Sequence, residues 1–191
     1  MPNNVRLIVT PSLWILGALM LLILPLNWLL AAVTAALFHE FCHYLSLKFC
    51  AVPIQGIQLS GGGAVISTGP MTPRQELICA MAGPLGGLCL LPLMRYVPRI
   101  AICATAQSLF NLLPIYPLDG GRALNSIVRR YLSPALAVKF LKWATRLCMG
   151  SIFFLGLLAS LRSHLGLFPL LTVIILCIRA KKEKLLANRR S

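Results

Sequence analysis

Two histidines and a glutamate at close spacing are the residues of this chain whose types could carry out chemistry together. The sequence reads His39-Glu40-Phe41-Cys42-His43. Residues four apart share one face of a helix, so both imidazoles could reach one metal ion while Glu40 lies beside it. This HExxH spacing is typical of zinc hydrolases, in which zinc activates a water molecule and the glutamate is the general base. It predicts a zinc site with one ion per chain.

The rarity of the ionisable residues makes this pattern specific. The chain has 3 histidines and 4 acidic residues among 191, so an HExxH would arise by chance roughly once in a thousand such chains. Each ionisable group near the centre of a membrane costs about 2.5–3.5 kcal/mol. A cluster of them in an apolar segment therefore indicates metal coordination; the alternative is a structural polar cluster between helices.

A catalytic zinc ion needs a third protein ligand and one open position. The remaining histidine, His164, is predicted on the opposite side of the membrane, and Glu183 lies in a basic tail. Glu76 opens an apolar segment, where a carboxylate suits a helix N-terminus. Asp119 directly follows the fourth apolar segment of the chain, at about 98–118, and is predicted at a membrane depth similar to that of the histidine pair. The sequence therefore predicts Asp119 as the third ligand.

The residues around Asp119 predict a broken helix. Pro114 and Pro117 precede it and Gly120-Gly121 follow it, and each type disfavours a continuous helix. Unwound backbone at this point could hold an extended substrate. Asn111 could donate a hydrogen bond to a developing oxyanion; the alternative is an interhelical hydrogen bond.

The elements that must position these residues are apolar segments. Hydrophobic residues make up 58% of the chain and charged residues 12%, with a mean hydropathy of +0.83, whereas soluble domains carry about 25% charged residues. This composition predicts an all-α integral membrane protein with about six transmembrane helices in a single domain, residues 1–191. The six segments run at about 11–25, 27–50, 76–94, 98–118, 139–161 and 166–178. The alternative for the first is a signal peptide.

The basic residues predict the orientation. The 18 Lys and Arg against 4 acids give a net charge of +14, and 15 of the 18 fall on one side of the predicted topology. The positive-inside rule then places both termini, including the basic tail at about 179–191, in the cytoplasm. Anionic lipids are the expected partners of this charge, and nucleic acid is not expected.

The 7 cysteines include no CxxC pair and are predicted to pack in apolar surroundings.

Residues at about 51–75 are rich in glycine and proline and do not form a span. Two extended stretches, Ile57–Ser60 and Ala64–Ser67, flank Gly61-Gly62-Gly63. They predict a short β-hairpin or re-entrant loop over the site, because non-helical backbone near a membrane must be buried in protein or line a wet cavity. The alternative is an ordinary connector.

Three motifs in this order resemble the site-2 protease family of intramembrane metalloproteases. They are HEFCH at residues 39–43, AGPLGG at 82–87 and FNLLPIYPLDGGR at 110–122. The resemblance covers about residues 10–160, and it is closest to the bacterial stage IV sporulation protein FB group. The family pairs the HExxH helix with a later LDG aspartate, which implies a three-helix catalytic core.

The resemblance also implies roles for individual residues. The predicted site residues are His39, His43 and Asp119 for zinc, Glu40 and Asn111 for catalysis, and Gly61, Gly62, Gly63 and Pro117 for substrate binding. The glycine hairpin would bind substrate by strand addition. Phe41-Cys42 departs from the family, which usually has Leu-Gly there. Cys42 could modulate the ligands or simply pack.

The implied function is regulated intramembrane proteolysis in a bacterial cell membrane. The expected substrate is a membrane-tethered protein cleaved near the cytoplasmic side, such as a sporulation pro-sigma factor, with a membrane protein as regulatory partner. No CBS or PDZ domain is expected within the sequence. The alternatives are a transporter that uses the same polar residues as an ion path and a relative that binds substrate without cutting it.

Overall fold

The computed structural model describes residues 6–60 and 63–162, which form two compact units on either side of the Asn111–Leu112 bond. The first unit contains, in order, β1 (Arg6–Val9), α1 (Pro11–Ile23), α2 (Leu26–Phe49), β2 (Ile54–Ser60), β3 (Gly63–Thr68), α3 (Pro73–Leu88), a 3-10 turn (Leu91–Arg95) and α4 (Pro98–Asn111). The second contains α5 (Asp119–Tyr131) and α6 (Pro134–Arg162).

Local sequence signals explain where the first helices begin. Proline stands in the first turn of α1, where its missing N–H is not needed. The helix α3 begins with a capping box, in which the Gln75 backbone N–H donates to Thr72 Oγ1 at 3.3 Å and the Thr72 N–H donates to Gln75 Oε1 at 2.9 Å. Glu76 lies in the first turn of α3, as the sequence predicted. A carboxylate there favours the positive end of the helix dipole.

Helices α2, α3 and α4 pack through small side chains and expose large ones. The buried residues of α2 recur every four positions, at Ala31, Ala35, His39 and His43. The buried positions of α3 and α4 are occupied by residues such as Ala80, Gly83, Gly87, Ala101, Ala104 and Ser108. The exposed face of α2 carries Leu30, Val33, Leu37 and Phe41. Small interfacial residues and an outward apolar face are the arrangement expected of helices in lipid.

Two of the described helical segments are long and apolar enough to cross a membrane, namely Leu26–Phe49 and Pro73–Arg95. This length and composition, together with the outward apolar side chains, indicate a membrane protein. The shorter helix α1 has 13 residues. The predicted sixth segment and the basic tail lie outside the described residues, so the count of six spans and the cytoplasmic termini stay predictions.

A three-stranded sheet lies beside the helices of the first unit. The strands β2 and β3 pair antiparallel, with Ile57 opposite Ile66, and confirm the predicted hairpin. The sequence did not predict β1, which pairs parallel with β2 so that Leu7 lies opposite Ile57. Below the sheet, Leu47, Val52 and Cys79 form a small core. The fold is therefore mostly helical with a sheet one strand larger than expected.

The predicted break in the helix before Asp119 is present. Helix α4 ends at Asn111, ahead of Pro114 and Pro117, and Asp119 is the first residue of α5. The expectation that Gly120-Gly121 break the helix was wrong, because both lie in the first turn of α5. The non-helical backbone is confined to residues 112–118. Helix α6 has 29 residues and contains the predicted fifth segment.

Candidate metal centre

The two histidines of the HExxH motif point their ring nitrogens at one place. His39 and His43 are 3% and 8% exposed, and their Nε2 atoms are 3.1 Å apart. The Nδ1 atom of His43 lies 2.7 Å from the carbonyl oxygen of Cys79 on α3. A carbonyl only accepts, so Nδ1 must carry the proton and Nε2 of the neutral ring keeps its lone pair. This is how outer partners prepare a histidine for a metal.

Gly83 on α3 lets both histidine rings approach this helix closely. A Cβ atom at this position would contact His43 Nε2 and would lie 2.8 Å from His39 Nε2. Any larger residue would thus collide with both imidazoles. The two neighbouring Nε2 atoms and the tautomer of His43 fit a bound cation, because histidine nitrogens are common ligands of zinc.

The other glycines of the AGPLGG motif receive side chains from neighbouring helices. A Cβ at Gly86 would contact Cys42 Sγ and lie 3.0 Å from Cys42 Cβ. A Cβ at Gly87 would contact Ser108 Oγ. Cys42 therefore packs in a notch of α3, where the thiol fills the space opened by a glycine. The three glycines thus leave room on α3 for three neighbours: the histidine pair at Gly83, Cys42 at Gly86 and Ser108 at Gly87.

Asp119 is held at the start of α5 in the second unit. Its residue is 8% exposed, and Arg122 Nη1 lies 3.8 Å from Asp119 Oδ1. The helix N-terminus favours a carboxylate. A Cβ at Gly120 would overlap the backbone of Leu112, and one at Gly121 would lie 2.5 Å from the carbonyl carbon of Ile115. The loop at 112–118 thus lies directly against the first turn of α5, which fixes the place of Asp119 within this unit.

The remaining described residues that were predicted for the site lie on helices, in a loop and in a strand. Glu40 is half-buried on α2, and Asn111 is the half-buried last residue of α4. Pro117 follows a cis peptide bond in the loop before α5, and Gly63 begins β3 with φ +109°. Gly61 and Gly62 lie outside the described residues. The assignment of Glu40, Asn111, Pro117 and the glycines to catalysis or substrate binding stays a prediction.

Sequence reasoning did not identify the groups that support the ligands, and it gave Gly120 and Gly121 only the role of helix breakers. The supporting groups are the Cys79 carbonyl, Gly83, Gly120, Gly121 and Arg122. A signal for Gly83 was present, since a Gly-Pro pair inside an apolar helix is costly unless another chain segment packs closely against it. The Cys79 carbonyl had none, because a backbone group has no sequence signature.

Among the described residues, the buried side chains suited to hold a metal ion are His39, His43 and Asp119. Two imidazoles and one carboxylate form the ligand set of many catalytic zinc sites, which leave a further position for water or substrate. This set fits zinc better than magnesium or calcium, which prefer oxygen ligands.

The comparisons with known proteins agree with this chemistry. No protein-family model matches the chain. A Synechocystis protein named "Putative zinc metalloprotease" is 33% identical over 123 residues, which cover 53% of this chain and 32% of that protein. The chain thus spans about a third of the curated relative that it matches. The site-2 protease of Methanocaldococcus jannaschii matches 96% of this chain and 92% of its own, with a TM-score of 0.68 and 19% identity. This chain has the fold of that protease.

Proposed function

We propose that the chain is a zinc-dependent endopeptidase of the site-2 protease type, with one zinc ion held by His39, His43 and Asp119. The observation that carries the proposal is the buried histidine pair, whose two Nε2 atoms lie 3.1 Å apart and are packed against Gly83. The fold shared with a site-2 protease and the likeness to a protein named as a zinc metalloprotease support the same conclusion.

Zinc in such a site would polarise the scissile carbonyl and supply an activated water near neutral pH. Glu40, next to His39 on α2, would accept a proton and pass it to the leaving amine. The Cys79 carbonyl would hold the His43 ring in its ligand tautomer. Arg122, 3.8 Å from the Asp119 carboxylate, would fix the orientation of that ligand. Asn111 would donate to the developing oxyanion.

The substrate that we infer is a membrane-tethered protein, cut within or beside the membrane on the cytoplasmic side. The outward apolar face of α2 supports a site inside a membrane helix, and the positive-inside charge pattern supports the sidedness, six spans and cytoplasmic termini. The strands β2 and β3, with Gly61–Gly63 between them, would pair with the extended substrate, and Pro117 would shape the loop before Asp119.

The decisive experiment compares wild type with Glu40→Gln and with the matched control Glu76→Gln, which changes a glutamate in the first turn of α3. Each protein is purified, its zinc is quantified, and cleavage of a membrane-tethered substrate fragment is followed. We expect about one zinc in all three and cleavage by wild type and Glu76→Gln only, with activity lowered at least ~100-fold in Glu40→Gln.

Two outcomes would contradict this function. Zinc without cleavage in wild type, for several membrane-tethered substrates, would favour a binding protein or a transporter. A wild type that holds no zinc would remove the metal site itself.

We also propose that the chain belongs with the sporulation enzymes that release a pro-sigma factor, under control of a membrane regulatory partner. The PLDGG sequence at 117–121 and the glycine hairpin support this group. Coexpression with a candidate pro-sigma factor should give processing that depends on Glu40. Processing of other tethered proteins but not of pro-sigma factors would separate the chain from this group.

A further inference from the structure

The corner between α5 and α6 exposes an unusual density of cations and aromatic rings. Its residues are Arg129, Arg130, Tyr131, Lys139, Lys142 and Trp143, all exposed, and we call them the basic corner. The Arg130 guanidinium lies 5.9 Å from the centroid of the Tyr131 ring. Trp143 is 61% exposed and lies four residues after Lys139, on the same face of α6.

The cations of the basic corner have no acidic residue nearby in the chain. Residues 123–162 contain 6 Lys and Arg and neither Asp nor Glu. Such a run repels itself unless negative charge is supplied from outside, and salt ions only screen it. An ordinary solvated surface would mix both signs of charge. The composition therefore indicates an anionic binding partner.

The length of α6 suggests where this corner lies. A helix of 29 residues is about 43 Å long, whereas the hydrocarbon layer is about 30 Å thick. If the apolar C-terminal part of α6 spans that layer, about nine residues at its N-terminal end project into the headgroup region. Lys139 and Lys142 fall within those first nine residues. Trp143 and Tyr131 then lie at the level where aromatic rings collect in membrane proteins.

We propose that the basic corner binds the headgroups of anionic phospholipids. Lys and Arg attract the phosphate and the net negative charge, while Trp143 and Tyr131 anchor at the interface. This surface includes none of the proposed catalytic residues, and the proposal does not depend on proteolytic activity. An acidic segment of another protein is the competing occupant, and the experiment below distinguishes the two.

The test uses tryptophan fluorescence, because the chain has 3 tryptophans and two of them are suitable reporters. Variants that keep only Trp143, or only Trp14, are reconstituted in phosphatidylcholine bilayers. Trp14 is 72% exposed, and the sequence from Leu7 to Leu47 contains no Lys or Arg. Quenching by brominated phosphatidylglycerol is compared with quenching by brominated phosphatidylcholine at equal mole fraction.

We expect phosphatidylglycerol to be enriched about fivefold around Trp143 at low ionic strength, an enrichment equivalent to one basic residue near the membrane surface. Trp14 should show no preference. Replacing all four cations of the basic corner (Arg129, Arg130, Lys139 and Lys142) with Gln should abolish the enrichment, whereas Lys139→Arg with Lys142→Arg should keep it. Arg95→Gln with Arg99→Gln, which removes two cations from the first unit, should leave it unchanged.

Equal quenching of Trp143 by the two brominated lipids would overturn the proposal. So would an enrichment that persists in the fourfold glutamine variant, since it would then not arise from the cations of the basic corner. A Trp143 emission that responds to an added acidic peptide, but not to phosphatidylglycerol, would assign the basic corner to a protein partner instead.

Discussion

Helices α2 and α5 both carry predicted zinc ligands, but they hold them in different ways. The α2 ligands lie in the middle of a 24-residue helix, one turn apart, so the helix itself sets their spacing. The α5 ligand is the first residue of a 13-residue helix, so its place depends on where that helix begins. The comparison shows that local spacing can position two predicted ligands, whereas tertiary contact positions the third.

The groups that support the histidine pair and those that support Asp119 also differ. Across from the histidine pair, α3 offers a carbonyl at Cys79 and a close approach at Gly83. Beneath Asp119, the loop at 112–118 touches Gly120 and Gly121 directly. His43 therefore depends on a neighbouring helix for its tautomer, whereas the aspartate depends on a backbone contact for its position.

Removing a predicted zinc ligand should lower zinc affinity more than any other change. His43→Ala and Asp119→Ala should each lower zinc affinity by more than the roughly 10–100-fold typical of losing an outer-shell partner. Competition with a chromogenic chelator measures this. The control is Ser126→Ala, which removes another buried polar group from α5. If Asp119→Ala binds zinc as wild type does, only the α2 half of the comparison belongs to the metal site.

Adding a side chain at Gly83 should lower zinc affinity by the next largest amount. In Gly83→Ala the new Cβ would collide with both imidazoles and displace them, so we expect zinc affinity to fall by about 10–100-fold. Gly17→Ala is the matched control, because nothing lies within 4 Å of a Cβ there. Wild-type zinc affinity in Gly83→Ala would show that the close packing of the histidines against Gly83 does not position them for the metal.

Disturbing the start of α5 should act mainly on stability. Gly120→Ala places a Cβ against the backbone of Leu112, which cannot move aside as a flexible side chain could, so we expect about 1–3 kcal/mol of destabilisation. Gly150→Ala, in open space on α6, is the control. Denaturation in mild detergent, monitored by circular dichroism, gives the free energies. A neutral Gly120→Ala would mean that the loop at 112–118 does not press on α5.

The smallest effect should be a coupling between Cys42 and Gly86. Gly86→Ala alone should destabilise the fold by about 1 kcal/mol, because the added Cβ meets the Cys42 side chain. Cys42→Gly in the same chain should restore most of that loss, with a coupling energy of at least ~0.5 kcal/mol in the double-mutant cycle. Additive effects would show that Cys42 does not pack in this notch.

The sequence predicted the features that depend on local spacing. The helical HExxH, the apolar helix around it and the two hairpin strands all follow from residues close together in the chain, and the structure has them. Two features were missed or wrong: β1 and the helical state of Gly120-Gly121. Each depends on a partner distant in the chain or on a close backbone contact, which propensity does not record.

The glycine pair illustrates the reason. Glycine lowers helix propensity by about 1 kcal/mol, so two in a row after two prolines favoured a break. The loop at 112–118 comes so close to α5 that any side chain at Gly120 would overlap it. The same residues that weaken the helix intrinsically are the ones that allow it to form at this place.

Because β1 pairs in parallel with β2, the chain between these strands must cross the membrane an even number of times or not at all. Residues 6–9 and 54–60 are hydrogen-bonded in one sheet, so they must occupy the same compartment. Only α1 and α2 lie between them; the two helices must therefore cross the bilayer together or not at all. If α2 crosses the bilayer, the 13-residue α1 must cross it in the opposite direction, even though α1 is shorter than the usual span. Bilayer thinning or a shallow turn at Leu24-Pro25 would then accompany the fold wherever the sheet is formed.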